Sequence, residues 1–130
     1  LMSHFSLIRI KIKNPNVNLL KKAVELIAKE LNAQVVSQVH DYYGRAMDCV
    51  AGVKNADFPR GIGVRVNASG EVEVVGDFWK VRPGAVESFQ KALVQYYTAL
   101  AMQSALQALG YQVQVNKVND KIHVRGVALL

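Results

Sequence analysis

The chain opens on an alternation. Ile8, Ile10 and Ile12 fall on one side of the segment from Phe5 to Lys13, and Arg9, Lys11 and Lys13 fall on the other. A period of two with β-branched residues predicts a half-buried strand, its cations turned toward water or a partner. Asn14-Pro15-Asn16 then breaks the pattern. Asn caps helix N-termini well and Pro suits the first turn. From Val17 to Leu31 the residues Leu20, Val24, Ile27 and Leu31 recur at steps of three and four, which predicts an amphipathic helix stopped near Asn32.

Gln34 to Val39 reads as a second strand. His40-Asp41-Tyr42-Tyr43-Gly44-Arg45 is a polar and aromatic connection. Met47, Cys49, Ala51 and Val53 alternate with Asp48, Val50, Gly52 and Lys54, so a third strand is predicted, with Cys49 on its core face. Asn55 to Gly61 reads as a loop. Ile62, Val64 and Val66, then Val72 and Val74, flank the turn Asn67-Ala68-Ser69-Gly70 and predict a hairpin in which Arg65 lies near Glu71 or Glu73. Gly76 to Gly84 leads into a long helix, about Ala85 to Leu109, with Phe89, Leu93, Tyr96 and Leu100 on one stripe and only Glu87 and Lys91 charged. Its second half is apolar on most sides and needs cover on more than one face, from a sheet or from a second copy. Gly110 is a natural left-handed stop. Tyr111, Val113 and Val115, then Ile122 and Val124, frame a closing hairpin around Lys117-Val118-Asn119-Asp120, and Gly126 to Leu130 reads as a loosely paired end.

The element order is β-α-β-β-β-β-α-β-β. Strands with one polar face predict an α+β domain: an antiparallel or mixed sheet of about six to seven strands with two helices on one face. A ferredoxin-like core with an added hairpin is the nearest named topology. No Gly-, Ser- or Pro-rich linker divides the chain, so residues 2–130 read as a single domain. Leu1 precedes Met2 and is set aside as a feature of the start.

Composition narrows the classes. The chain has 130 residues, enough for a core without metal or disulfide support. Half the residues are hydrophobic and a fifth charged, which argues against disorder. No apolar run approaches the roughly 20 residues of a membrane span, and no signal segment is expected. One cysteine, Cys49, excludes an internal disulfide. The expected compartment is the cytoplasm, or the stroma for a plastid-encoded chain.

Five stretches in order carry a resemblance: Met2-Ser3-His4-Phe5 before an Ile/Lys strand, Gly61-Ile62-Gly63, Gly76-Asp77-Phe78-Trp79, Gln95-Tyr96-Tyr97 on a helix running to Gly110-Tyr111, and the final hairpin from Val113 to Arg125. Together they resemble the hypothetical chloroplast reading frame thirty-five family, a domain of unknown function of plastids, cyanobacteria and other prokaryotes. The chain departs from that pattern at Gly61, where the family tends to show Asp. It departs again at Arg125-Gly126-Val127, in place of a Gln-Arg-Trp-like tail. The resemblance implies no catalytic residues.

Candidate chemistry is thin. His4, His40 and His123 lack ligand spacing, so no metal site is expected. His40 and Asp41 are adjacent in sequence and would point to opposite faces of a continued strand. Cys49 reads as a small buried hydrophobe, and Gly61-Ile62-Gly63 opens a strand, so it is no phosphate loop. No catalytic residue and no cofactor is expected. Two features carry binding. Arg9, Lys11 and Lys13, with Lys121, His123 and Arg125, would make one sheet face basic if their strands were neighbours. Trp79 with Lys80 and Arg82 forms the densest mixed patch, beside a helix start that favours anions. The net charge of +6, 16 Lys and Arg against 10 Asp and Glu, suits an acidic partner or a polyanion.

The expectation is a non-catalytic interaction module binding through the basic sheet face and the Trp79 corner, with no membrane partner and a homo-oligomer contact through Ala85 to Leu109. The alternatives are an RNA- or other polyanion-binding module, and a small hydrolase of ferredoxin-like shape using Arg45, Arg82 and Asn67.

Overall fold

In the computed structural model, which describes residues 4–128, the chain runs β1 (Ser6–Lys13), α1 (Val17–Glu30), β2 (Gln34–His40), β3 (Ala46–Lys54), β4 (Ile62–Val66), β5 (Glu71–Gly76), α2 (Ala85–Ala108), β6 (Tyr111–Val118) and β7 (Lys121–Ala128). The element order matches the hydrophobic pattern, and local chemistry sets the ends. The Asn16 side chain accepts a hydrogen bond from the Leu19 N–H at 3.2 Å and caps α1. Gly110, at φ 89°, turns the chain out of α2. The end of the chain is better paired than its sequence predicts: β7 continues through Gly126 and Val127, with Ala128 opposite Tyr111. Met2 and Ser3, which open the family resemblance, lie outside the described residues, as do Leu1, Leu129 and Leu130.

The seven strands form two antiparallel sheets rather than one. Five make the main sheet in the order β1-β5-β4-β3-β2, and β6 and β7 form a separate ribbon. This departs from a ferredoxin-like core for a physical reason. Only α1 crosses between two strands of the main sheet, from one edge to the other. After β5 the chain runs through α2 into the separate ribbon and adds no further strand to the main sheet, so the second β-α-β crossover does not exist. Arg65 stands opposite Glu73, as the hairpin between β4 and β5 predicts, with Nε to Oε1 at 3.3 Å.

One face of the main sheet is the core face. Ala51, Val53, Ile62, Val64, Val72 and Val74 meet Leu20, Ala23, Val24, Ile27 and Ala28 of α1 and Phe89 and Leu93 of α2. Ile8, Ile10 and Ile12 of β1 close one edge. Each large side chain fully buried here contributes roughly 1.5–3 kcal/mol. Phe58, from the loop after β3, packs its ring edge-to-face on Phe89 at 6.3 Å.

The strand β3 carries an irregularity that reverses one expectation. Gln34, Val35 and Val36 pair with Lys54, Val53 and Gly52, but Gln38 pairs with Asp48, so three residues of β3 lie opposite one of β2. A bulge of this kind re-aims side chains. Val50 turns to the core, and Cys49 turns away from it. A Cβ on Gly63 would stand 2.9 Å from the Cys49 Sγ, on the face opposite Ile62 and Val64. Burial raises the Cys49 thiol to about 11, with Asp48 adding to the rise and the Val64 backbone opposing it. At about pH 8 the thiolate fraction is then on the order of one in a thousand. Iodoacetamide is therefore expected to label Cys49 slowly in the folded protein and rapidly in denaturant, read by intact-mass spectrometry. Equal rates in the two states would show that the bulge does not shield the sulfur.

Beyond the sheet, α2 carries the β6–β7 ribbon. Val113, Ile122 and Val124 turn toward the helix, and Gly126 lies against Leu106. At the body end, Glu30 of α1 accepts hydrogen bonds from Tyr96 of α2 and Lys117 of β6. Burial works to raise the Glu30 carboxyl, but the hydrogen bonds from Lys117 and Tyr96 outweigh it and hold the group lowered. This one carboxylate ties three elements together.

Candidate functional site

Two loops meet at the end of the sheet where β2 finishes and β5 finishes. Each is built on one aspartate. Asp41, after β2, turns its carboxylate inward: Oδ1 accepts from the Tyr43 and Arg45 N–H groups, and Oδ2 takes the Arg45 Nε at 2.5 Å. Burial acts to raise this carboxyl, while the Arg45 and Tyr43 donors together lower it. Asp77, after β5, accepts from the Trp79 N–H through Oδ1 and from the Tyr42 N–H through Oδ2. Both carboxylates are buried. A short side chain that accepts from backbone two residues on is the turn chemistry of aspartate. The second bond of Asp77, to Tyr42, fixes one loop against the other.

The result is a run of rings. Tyr42 stands edge-to-face with Trp79 at 4.9 Å and with Tyr43 at 5.5 Å. Tyr42 and Tyr43 are 54% and 60% exposed, so the run faces solvent rather than the core. Two cations lie on it: the Lys80 Nζ sits 4.6 Å from the Trp79 ring centroid, and the Arg45 guanidinium 5.8 Å from that of Tyr43. Arg60 donates to the Trp79 carbonyl from behind. Lys80 takes a left-handed φ of 62°, which a non-glycine residue adopts at a cost of roughly 1–2 kcal/mol. That backbone places its ammonium over the indole. Such a surface can hold a flat apolar group by stacking and a negative group by its two cations.

No family model, no curated protein and no solved structure matches this chain. The site therefore rests on its own geometry.

That geometry sorts the residues singled out from sequence. Trp79 and Lys80 belong to the corner. Arg82 turns elsewhere, its Nη2 3.5 Å from Asp57 in a small cleft beside Phe58 and Phe89. Arg9, Lys11 and Lys13 lie on the edge strand β1, whereas Lys121, His123 and Arg125 lie on β7 of the separate ribbon. The two basic rows are not neighbours, and no single basic sheet face forms from them. The face away from the helices is mixed: Arg9 stands opposite Glu73, Glu73 opposite Arg65, and Asn67 bonds both Glu71 and Glu73. Arg45, Arg82 and Asn67 do not gather either. Asn67 stands in the β4–β5 turn, at the far end of β4 from the corner, and the two arginines pair with different aspartates. Among the described residues no three His, Cys, Asp or Glu side chains gather as metal ligands. A groove of about 760 Å³ between α1 and β2, lined by Leu26, Lys29, Val35 and Leu100 among others, is open to solvent and lies away from the corner.

Sequence reasoning passed over Tyr42, Tyr43 and Arg60 as binding residues, and placed Arg45 only in a hydrolase alternative. A signal for Tyr42, Tyr43 and Arg45 was present. Asp41-Tyr42-Tyr43-Gly44-Arg45 is a tight turn with its own acceptor, and such a turn pushes the residues between its ends outward. What no local pattern carries is the pairing of that turn with Asp77, 35 positions farther along.

Proposed function

We propose that this chain is a non-catalytic interaction module that takes an acidic protein segment bearing an aromatic side chain, and that the Tyr42–Tyr43–Trp79 corner is where it binds. The observation that carries this reading is the ring run itself: two exposed tyrosines and a half-buried tryptophan, preorganised by two buried aspartates, with Arg45 and Lys80 seated on the rings. Tyr, Trp and Arg are the residues that dominate protein interfaces when a partner desolvates them. Preorganisation by Asp41 and Asp77 lowers the ordering cost of binding. The net charge of +6 steers an acidic partner toward the surface. The separation of the two basic rows favours a protein over a phosphate backbone, because a polyanion needs a continuous cationic track. The rings also stand on loops rather than on adjacent strands, unlike an RNA-stacking sheet.

The resemblance to the chloroplast reading frame thirty-five family stays part of this reading and adds no residue role. A reducing compartment, the cytoplasm or stroma, suits a chain whose one cysteine is a shielded thiol.

Selection of a random peptide library on the immobilised protein tests the proposal. Enriched peptides are expected to place Asp or Glu beside Phe, Tyr or Trp. A synthetic peptide of that class should bind Trp79→Ala and Tyr43→Ala about tenfold or more weakly, a hot-spot loss of at least roughly 1.4 kcal/mol. Arg9→Ala should change affinity little beyond its salt dependence. Peptides that bind Trp79→Ala as well as the wild type overturn the proposal. So does single-stranded RNA binding with a steep salt slope, which assigns the surface to polyanions.

A further inference from the structure

The surface of α2 inverts the usual rule for a helix at a protein surface. Val94, Thr98, Met102, Ala105 and Leu109 follow one another at steps of four, four, three and four, and all five are exposed. Met102 is 49% and Leu109 74% exposed, although the main sheet, α1 and the ribbon already cover the other sides of the helix. Steps of three and four along one row are the spacing by which two helices interlock at a shallow angle. The flanking positions, Ala101, Ser104 and Ala108, are small enough to let a second helix approach closely.

Charge indicates what covers this row. Residues 92–116 hold no Asp, Glu, Lys, Arg or His, in a chain of net charge +6. Two such chains repel over most of their surfaces. The cations nearest the row, Lys121 in one groove and Arg9, Lys11 and Lys91 in another, all share those grooves with its Val94 half, whereas the half from Ala105 to Leu109 carries none. Two copies meet without bringing cations together when the Val94 half of each lies on the uncharged half of the other.

We propose that this row packs against the same row of a second copy, giving a two-fold dimer with the two α2 helices antiparallel about Met102. Val94 then lies against Leu109 of the partner subunit, and Thr98 against Ala105 of the partner subunit. The antiparallel sense follows from Lys91, one turn before Val94. A parallel pair sets the two Lys91 side chains together, with Arg9 and Lys11 close by across a shared groove. The antiparallel pair sets the uncharged tip, Ala108 to Tyr111, there instead. The row spans about 24 Å along the helix. With the open groove between α2 and β7, lined by Met102, Ile122 and Val124 and bordered by Lys121, available to receive the partner's Met102, the contact sits at the small end of stable interfaces and is concentration-dependent. The inference stands apart from the aromatic corner, which no residue of the row touches.

Sedimentation velocity and light scattering across a micromolar concentration series test it on the whole chain. The mass is expected to rise to twice the 14.3 kDa of one chain. Raised salt should preserve or strengthen the association, because it screens the repulsion between two cationic bodies. Met102→Glu sets two like charges against each other at the two-fold axis, and Ala105→Glu presses an unpaired carboxylate onto Thr98 of the partner subunit; both positions are already exposed, so each variant should remain monomeric with an unchanged circular dichroism spectrum. Trp79→Ala should dimerise like the wild type, which separates this result from the binding proposal. In a Cys49→Ser background, Met102→Cys should form an intermolecular disulfide readily, and Val94→Cys and Leu109→Cys should not. A monomer at every concentration, a larger closed assembly, a dimer indifferent to both glutamates, or efficient cross-linking at Val94→Cys overturns the proposal.

Discussion

Phe89→Ala is expected to remove about 3–5 kcal/mol of folding stability, the cost of emptying a large buried ring site. Phe89 is 2% exposed and is the largest fully buried side chain among the described residues. It joins three parts of the molecule at once: α2, the strands beneath it, and the Phe58 loop through their edge-to-face contact. Chains of this size hold only about 5–15 kcal/mol in total. A loss at the upper end leaves little folded protein at growth temperature. Thermal and urea unfolding followed by circular dichroism measure it, and Phe89→Leu, which keeps much of the volume, should lose clearly less. A melting temperature lowered by no more than a few degrees in Phe89→Ala would mean that the ring is not the keystone its burial indicates.

Gly52→Ala should be nearly as damaging for a different reason. A Cβ at this position would stand 2.7 Å from the Ile62 carbonyl oxygen and 3.1 Å from the Gly63 Cα. Both are backbone atoms of the neighbouring strand, so no side chain can rotate out of the way. Gly52 and Gly63 are also direct partners across β3 and β4. Relief requires those two strands to part in the middle of the sheet, at a cost of about 3 kcal/mol. Gly44→Ala is the matched control: its added Cβ meets nothing within 4 Å, and its φ of 83° alone should cost about 1 kcal/mol. Equal stability losses at the two positions would remove close strand packing as the cause.

These effects bear on how much the chain's alternation reveals. The nine elements could be placed because each announces itself within a few residues: isoleucines at every second position in β1, an asparagine cap before α1, a glycine after α2. Sheet membership is another matter. Nothing in Tyr111 to Arg125 says whether the closing ribbon joins β1 or stacks on α2, because its alternation looks the same either way. The apolar character of α2 on all sides was the relevant clue, since a helix buried only by a sheet does not need it. Cys49 was misplaced because a period of two assumes an unbroken ladder, and the bulge between β2 and β3 breaks it within three residues. Trp79 and Lys80 stood out as a local cluster. The ring partner Tyr42 did not, since the bond that unites the two loops joins residues far apart in the sequence.

The position of β1 also shapes how the chain is made. Its hydrogen-bonding partner is β5, with Ile8 opposite Val74, and every other pairing in the main sheet joins strands adjacent in the sequence. On a translating ribosome β1 therefore emerges before the other strands of the main sheet and is seated after them. At about 5–20 residues per second, it waits several seconds or more for the strand it needs. Throughout that interval its three isoleucines stay uncovered, whereas α1 can already pack on β2 and β3, so the apolar surface bared during synthesis is concentrated in β1.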